Sequence, residues 1–314
     1  MRRAVRFPAL LALLAVLSLT GCLFRTHKVE RRAATGAIKE ASLEELIGFI
    51  NAEAAKVRTL NATVDIAPAI GGVKRGKVTE IQEMRGYVLV RKPNQLRMIG
   101  LFPILRNTAF DMVSDGEAFR LSIPAKNRFV VGANQIGTPS DKPLENLRPQ
   151  HIFDALFLQE IDPREEIVFV EGATEIVNDS VTKNDVEVPT YVVTVLRRDG
   201  DVWKVRRKIV FRRSDLLPHR QIVYDRFSNV ATEAEYENFT EYDGLTFPSA
   251  IRIWRPQEEY AIQLFIVKLK LNSPLSDSQF VLEQPAGSEL QRLNGNHEPD
   301  KTTASKPEQK TEPN

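Results

Sequence analysis

Few side chains in this 314-residue chain can do chemistry, and the most informative is its single cysteine, Cys22. A lone thiol can be a nucleophile, a ligand or an acylation target, but it cannot form a disulfide within one chain. Cys22 ends the run Leu19-Thr20-Gly21-Cys22, behind an uncharged apolar stretch, Ala9 to Leu19. There are four histidines. His27 and His297 lie near the two ends, which leaves His151 and His219 for the folded part. No HExxH, CxxC, His-Asp pair or Gly-rich phosphate loop occurs. His219 follows Leu216-Leu217-Pro218 and reads as a turn residue, and His151 reads as a helix-face residue. Asp162, Glu165 and Glu166 are close in sequence but fall in a charged turn, which suits a solvated loop better than an acid/base pair. Ser114 precedes Asp115-Gly116 in a hairpin turn, not a nucleophile elbow. The sequence therefore predicts a protein that is not an enzyme and needs no metal or other cofactor.

The environment of Cys22 is that of an export signal. Arg2, Arg3 and Arg6 make a positive start. The apolar run is shorter than the roughly 20 residues a spanning helix needs, so it reads as the core of a signal peptide. Thr20 and Gly21 are small enough for a cleavage site. One alternative is an ordinary signal peptide with an incidental cysteine. The formal charge is +2, from 43 Lys and Arg against 41 Asp and Glu. Removing residues 1–21 takes away three arginines and leaves 40 against 41. Such a balance offers nucleic acid no electrostatic footprint. Without a disulfide, stability must come from an apolar core, and about 250 ordered residues suffice for one large β domain or two small ones.

The elements follow from local patterns. Residues 22–41 are basic and then small, and read as a tether. Ser42 and Glu45 form a capping box, and Leu43, Leu46, Ile47, Ile50, Ala54 and Val57 recur at helical spacing, so an amphipathic helix is predicted from Ser42 to near Thr59. Strands follow at 86–92 and 95–99, 109–113 and 117–123, 191–198 and 201–211, and 237–242 and 245–254. Three of these pairs are joined by Asp-Gly, a strong hairpin signal. They predict an antiparallel meander. Val202 and Val205 break the alternation of the 201–211 strand. Tyr260 to Leu271 predicts a strand with Ala261, Gln263, Phe265, Val267, Leu269 and Leu271 on one face, covered on both faces for part of its length. Arg148 to Ile161, with Pro149 at its first turn, predicts a second helix that is apolar around most of its girth. Such a helix is either core or a plug in the space a curved sheet encloses. Residues 294–314 carry no large apolar side chain and are predicted to be disordered.

Two family resemblances can be set on these residues. Leu19-Thr20-Gly21-Cys22 resembles the lipobox of bacterial lipoproteins, which implies cleavage before Cys22 and its acylation. Arg85-Gly86-Tyr87-Val88-Leu89-Val90-Arg91-Lys92-Pro93-Asn94-Gln95-Leu96-Arg97, then Val113-Ser114-Asp115-Gly116 and Ile123-Pro124, looks like the core of the LolA/LolB superfamily. Asn272-Ser273-Pro274-Leu275, Phe280 and Gln284-Pro285-Ala286-Gly287 look like the closing segment of its carriers. The resemblance implies a mainly β fold, an unclosed antiparallel β-barrel (half-barrel) with a helical lid and an N-terminal amphipathic helix, binding acyl chains or lipoproteins in an apolar cavity. It implies ligand contacts at Phe153, Leu156, Phe157 and Lys92. Ile104 and Leu105 fall where the anchored receptor has a membrane-inserting loop; the alternative is core packing at a strand end. Lys92 stands where the soluble carrier has an arginine that helps latch the lid, and lysine cannot copy that bidentate fork. The implied organisation is a signal peptide (1–21), acylated Cys22 with its tether (22–41), a lipid-binding domain (42–293) and a polar tail (294–314). The implied protein is a monomer in the cell envelope, held by lipid, with a soluble carrier protein as partner and no nucleic acid. Leu23 and Phe24 follow the cysteine where an Asp would retain a lipoprotein at the inner membrane, which favours the periplasmic face of the outer membrane. The alternative on the same fold is a structural or protein-interaction lipoprotein with no transport role.

Overall fold

The computed structural model describes residues 32–33, 37–134, 148–178 and 184–293. Cys22, the leader, most of the tether and the tail 294–314 lie outside the described residues. The chain forms two compact units, residues 1–36 with 174–188, and residues 37–173 with 189–314. In the smaller unit a two-residue strand, β1 (Arg32–Ala33), runs parallel to Val186–Glu187.

The larger unit opens with α1 (Leu43–Lys56). The strands β2 (Thr59–Gly72), β3 (Lys77–Glu80), β4 (Met84–Arg91), β5 (Gln95–Leu101), β6 (Thr108–Ser114), β7 (Ala118–Ile123) and β8 (Arg128–Ala133) follow. After α2 (Pro149–Leu156) come β9 (Glu166–Asn178), β10 (Asp185–Asp199), β11 (Val202–Arg212), β12 (Pro218–Tyr224), β13 (Val230–Tyr242), β14 (Leu245–Arg255), β15 (Tyr260–Leu271) and β16 (Glu289–Leu293). β9 and β10 run across the boundary between the units.

The strands form one sheet in the order β10-β11-β12-β13-β14-β15-β2-β4-β5-β6-β7-β8-β16, with β9 on β10 and β3 on β2. From β10 to β8 the neighbours in this order are antiparallel, as are β2 and β3, while β8–β16 and β1–β10 are parallel. Among the described residues the two ends of this order do not pair, so the sheet is unclosed. No described helix is long and apolar enough to cross a membrane.

Local sequence explains most of this. The Ser42 hydroxyl accepts from the Glu45 amide at 3.2 Å, and the Glu45 carboxylate accepts from the Ser42 amide at 2.7 Å. That reciprocal cap fixes the start of α1. Asp243 and Gly244 both take positive φ, 51° and 76°, as a two-residue hairpin turn of the type I′ class requires, and they set Tyr242 opposite Leu245. The broken alternation at Val205 is a β-bulge, with Val195 opposite Arg207 and Leu196 opposite Val205.

One face of the sheet is apolar and carries both helices. Leu46 and Ile50 of α1 pack with Ile161 against Val193, Val195, Ile209 and Phe211. Ile152, Phe153 and Leu156 of α2 share a cluster with Val64 and Ile66 of β2, Met98 of β5, Ile251 and Ile253 of β14, and Leu264 of β15. Full burial of each such side chain contributes about 1.5–3 kcal/mol.

The structure corrects three expectations. The second helix ends at Leu156, because Phe157 turns extended (φ −136°, ψ 144°). Its apolar girth is divided instead between two clusters, with Phe157 joining α2 and Ile161 joining α1. In β15, Leu269 and Leu271 are buried while Phe265 and Val267 are half-exposed. A bulge between Ile266 and Lys268 moves the last residues onto the inner face, so the predicted shared face does not exist. The predicted covering on both faces is also absent, since Phe265 and Val267 keep 37% and 44% of their surface exposed.

Candidate functional site

The inner face holds a pocket of about 260 Å³ at the C-terminal end of α2. Its walls include Phe49, Glu53, Lys56 and Val57 of α1, Leu156, Phe157 and Leu158, and Leu217 and Pro218 before and in β12. Tyr236 and Phe239 of β13, with Gly244 to Pro248 of the tight turn and β14, complete it.

α2 starts where proline is favoured, at the first helical position. It packs against β5, β6, β13 and β14. Its last carbonyls, which have no partner within the helix, are met from the sheet. The Tyr236 hydroxyl donates to the Ala155 carbonyl at 2.8 Å, and Gln221 Nε2 donates to the Asp154 carbonyl at 3.1 Å. Burial pushes the Asp154 carboxyl up, while hydrogen bonds from Gln150 (2.9 Å) and Gln159 (3.3 Å) pull it down. On the same helix His151 is pulled down to about 3 by burial and by the charges of Arg255 and Arg148, so it is neutral at pH 7.

Of the predicted ligand contacts, Leu156 and Phe157 line the pocket. Phe153 lies behind them, its ring centroid 5.8 Å from that of Phe157, and Phe157 in turn is 6.5 Å from Phe247. Lys92 is brought to the same place. Its Nζ donates to the Ala54 carbonyl of α1 at 2.5 Å and sits 4.7 Å from the centre of the Phe157 ring. Burial draws the Lys92 pKa down, and Glu160 opposes that shift. One ammonium thus touches the end of α1 and the residue that ends α2.

Ile104 and Leu105 lie elsewhere, in the loop from β5 to β6. Ile104 is 90% exposed and Leu105 78%, so neither packs into the core. The loop is pinned beneath them, with the Phe102 amide donating to the Asn107 carbonyl (2.9 Å) and the Arg106 amide to the Phe102 carbonyl (3.0 Å).

The remaining chemical candidates are engaged in structure. Asp162 takes a two-point contact from Arg164 (3.0 and 2.8 Å), which holds its carboxyl near 2. Glu165 pairs with Arg197, and buried Glu166 pairs with buried Arg207 at 3.3 Å. Glu166 therefore opens β9 and is no solvated turn residue. His219 is the second residue of β12, not a turn residue, and its Nε2 is 2.8 Å from Asp215. Among the described residues no cluster of His, Cys, Asp and Glu is arranged to hold a metal. Tyr236, Phe239, Leu245 and Phe247 were not identified from sequence. Their signal was the Asp243-Gly244 turn, which folds two strand ends together and makes their inner-face aromatics neighbours.

No protein-family model matches the chain, and no curated protein matches it by sequence. Solved structures of similar fold include a LolA superfamily protein from Nitrosomonas europaea, at 14% identity and a TM-score of 0.46, covering 77% of this chain and 99% of that one. A putative outer membrane lipoprotein-sorting protein domain from Vibrio parahaemolyticus is similar at 14% identity and 0.45, covering 75% and 94%. A DUF1329 family protein from Desulfovibrio piger is similar at 16% and 0.46, covering 75% and 94%.

Proposed function

We propose that this chain is a lipid-anchored envelope protein that takes acyl chains, free or as part of lipoproteins, beneath α2 and helps localise them to the outer membrane. The observation that carries the reading is the apolar pocket at the end of α2, continuous with an inner face built from Phe153, Phe157 and Ile152. At about 260 Å³ it falls below the roughly 300–1,000 Å³ of small-molecule sites. A whole acyl chain therefore displaces α2 from the sheet. Each acyl CH₂ buried contributes about 0.8 kcal/mol, and the side chains of α2 lose comparable burial as they leave. Loading is then close to balanced, which suits a protein that must also release.

In this reading Cys22 is acylated and residues 22–41 tether the domain 42–293. Ile104 and Leu105 meet the bilayer interface, and a soluble carrier supplies the cargo. Protein expressed without its leader and with Cys22→Ser tests it by mass spectrometry of bound lipid and by titration with a fluorescent fatty acid. Saturable binding, weakened about tenfold or more by Leu156→Glu, is expected. No co-purified lipid together with no titratable binding overturns it.

The filled inner face favours a second reading, a structural or interaction lipoprotein with no ligand. Cross-linking separates the two. One dominant envelope partner that persists when Leu156 and Phe157 are substituted supports the second.

A further inference from the structure

A second and larger cavity lies on the opposite face of the sheet, and the lipid-binding reading makes no use of it. Its volume is about 1,010 Å³, and its floor is the outer face of β13, β14, β15 and β2. Register explains the hollow. One row across the strands runs Glu233, Trp254, Ala261, Ala69 and Glu80, and the next runs Glu235, Arg252, Gln263 and Ala67. A third sets Glu237, Ala250 and Phe265 side by side. The floor thus sets Ala67, Ala69, Ala250 and Ala261 among Trp254, Arg252, Gln263 and Phe265, and carboxylates stand at both sides.

The two banks are distinct. Glu233, Glu235 and Glu237 recur at every second position of β13, about 7 Å apart. Glu80 and Glu83 come from β3 and the segment after it, which folds back so that the Ile81 amide donates to the Pro68 carbonyl at 2.9 Å. Of the five carboxylates lining the cavity, Glu235 pairs with Arg252 (3.5 Å) and Glu233 with Arg220 (3.4 Å). Glu80, Glu83 and Glu237 make no ion pair among the described residues. Between the banks Phe265 is 37% exposed, and beside Glu80 in the second bank Val78 and Ile81 are 61% and 40% exposed.

From these features we infer that the outer face is a docking groove for a basic amphipathic helix of a protein partner. β13 and β3 are separated by four strand spacings, about 19 Å. An α-helix with its side chains is about 10–12 Å wide, so it fits between the banks with its apolar stripe on Trp254 and Phe265. Lys or Arg on both flanks of the helix then reaches carboxylates on both banks. An acyl chain offers nothing to five carboxylates, and an anionic lipid surface or a nucleic acid is repelled by them.

The test uses the domain with Trp203→Phe, which leaves Trp254 as the sole tryptophan. It is titrated with a synthetic helix of about 14 residues carrying a leucine face and lysines on both flanks. A saturable shift of Trp254 fluorescence that weakens with added salt is expected. Glu80→Lys, Glu83→Lys and Glu237→Lys combined should weaken it about tenfold or more while fatty-acid binding on the inner face stays unchanged. A scrambled peptide of the same composition should bind at least about tenfold more weakly. Equal binding by the charge-reversed domain, or by the scrambled peptide, overturns the proposal. So does an equal fluorescence shift with calcium alone, which would mark a cation site.

Discussion

The two faces of this sheet are built from alternate residues of the same strands, yet they end in opposite states. On β14 the inner Ile251 and Ile253 are fully buried beneath α2, while the outer Arg252 and Trp254 border an open groove. The pocket on the inner face holds about 260 Å³, the one on the outer face about 1,010 Å³. The inner face is crowded because the chain supplies its own cover, two helices rich in Ile, Leu and Phe. No described element covers the groove, whose floor mixes four alanines with Trp254, Arg252, Gln263 and Phe265. The comparison teaches that free space on a face records whether its cover belongs to the chain.

The sharpest way to break this comparison uses adjacent residues. Ile253→Ala should cost about 2–5 kcal/mol by urea unfolding, because it leaves a cavity under α2. Arg252→Ala should fall within about 0.5 kcal/mol. Equal costs would mean that both faces are load-carrying. Next in size, Ser42→Ala removes the cap that starts α1 and should cost about 1 kcal/mol by the same measurement. A neutral result would show that packing on β10 and β11 holds α1 without its cap.

A third prediction concerns pH. His151 titrates near 3 in the fold and near its ordinary value of 6.5 when unfolded. The unfolded chain therefore binds the extra proton between these values, and the stability His151 allows is complete above 6.5 and lost as pH falls toward 3. His151→Gln should flatten the stability profile in that window. An unchanged profile would mean that His151 is solvated in the folded protein. The smallest effect on stability is expected for Ile104→Ser with Leu105→Ser, within about 0.5 kcal/mol. In the proposed function the same pair of substitutions abolishes co-sedimentation with lipid vesicles. Retained co-sedimentation would remove this loop from the membrane contact.

The parts of the fold legible in sequence are those with local causes. The Ser42–Glu45 cap, the Asp-Gly hairpins and the full span of β15 each depend on neighbours in the chain. The bulge at Val267 was not legible, because it answers to the partner strand β2 and not to its own alternation. The end of α2 was hidden for a similar reason. Phe157 and Ile161 are drawn to two clusters that exist only after folding. In the candidate site, Leu156 and Phe157, to which the resemblance pointed, line the pocket, and Lys92 sits over the Phe157 ring. Tyr236 and Phe247 became neighbours of α2 only through pairings that link residues far apart. β2, with its buried Leu60, Ala62, Val64 and Ile66, escaped notice although its alternation is regular.

That strand also sets the tempo of assembly. β2 is bordered on one side by β15, with Ile70 opposite Tyr260 and Leu60 opposite Leu271. These partners lie 190 and 211 residues apart in sequence, and all of that chain must be synthesised before the sheet can be joined across its centre. Pairings so distant in sequence make folding slow, and the waiting segments expose unpaired strand edges. A nascent chain of this design cannot finish folding domain-first as it emerges. It must be kept from misassociation until β15, in the last fifth of the chain, has arrived.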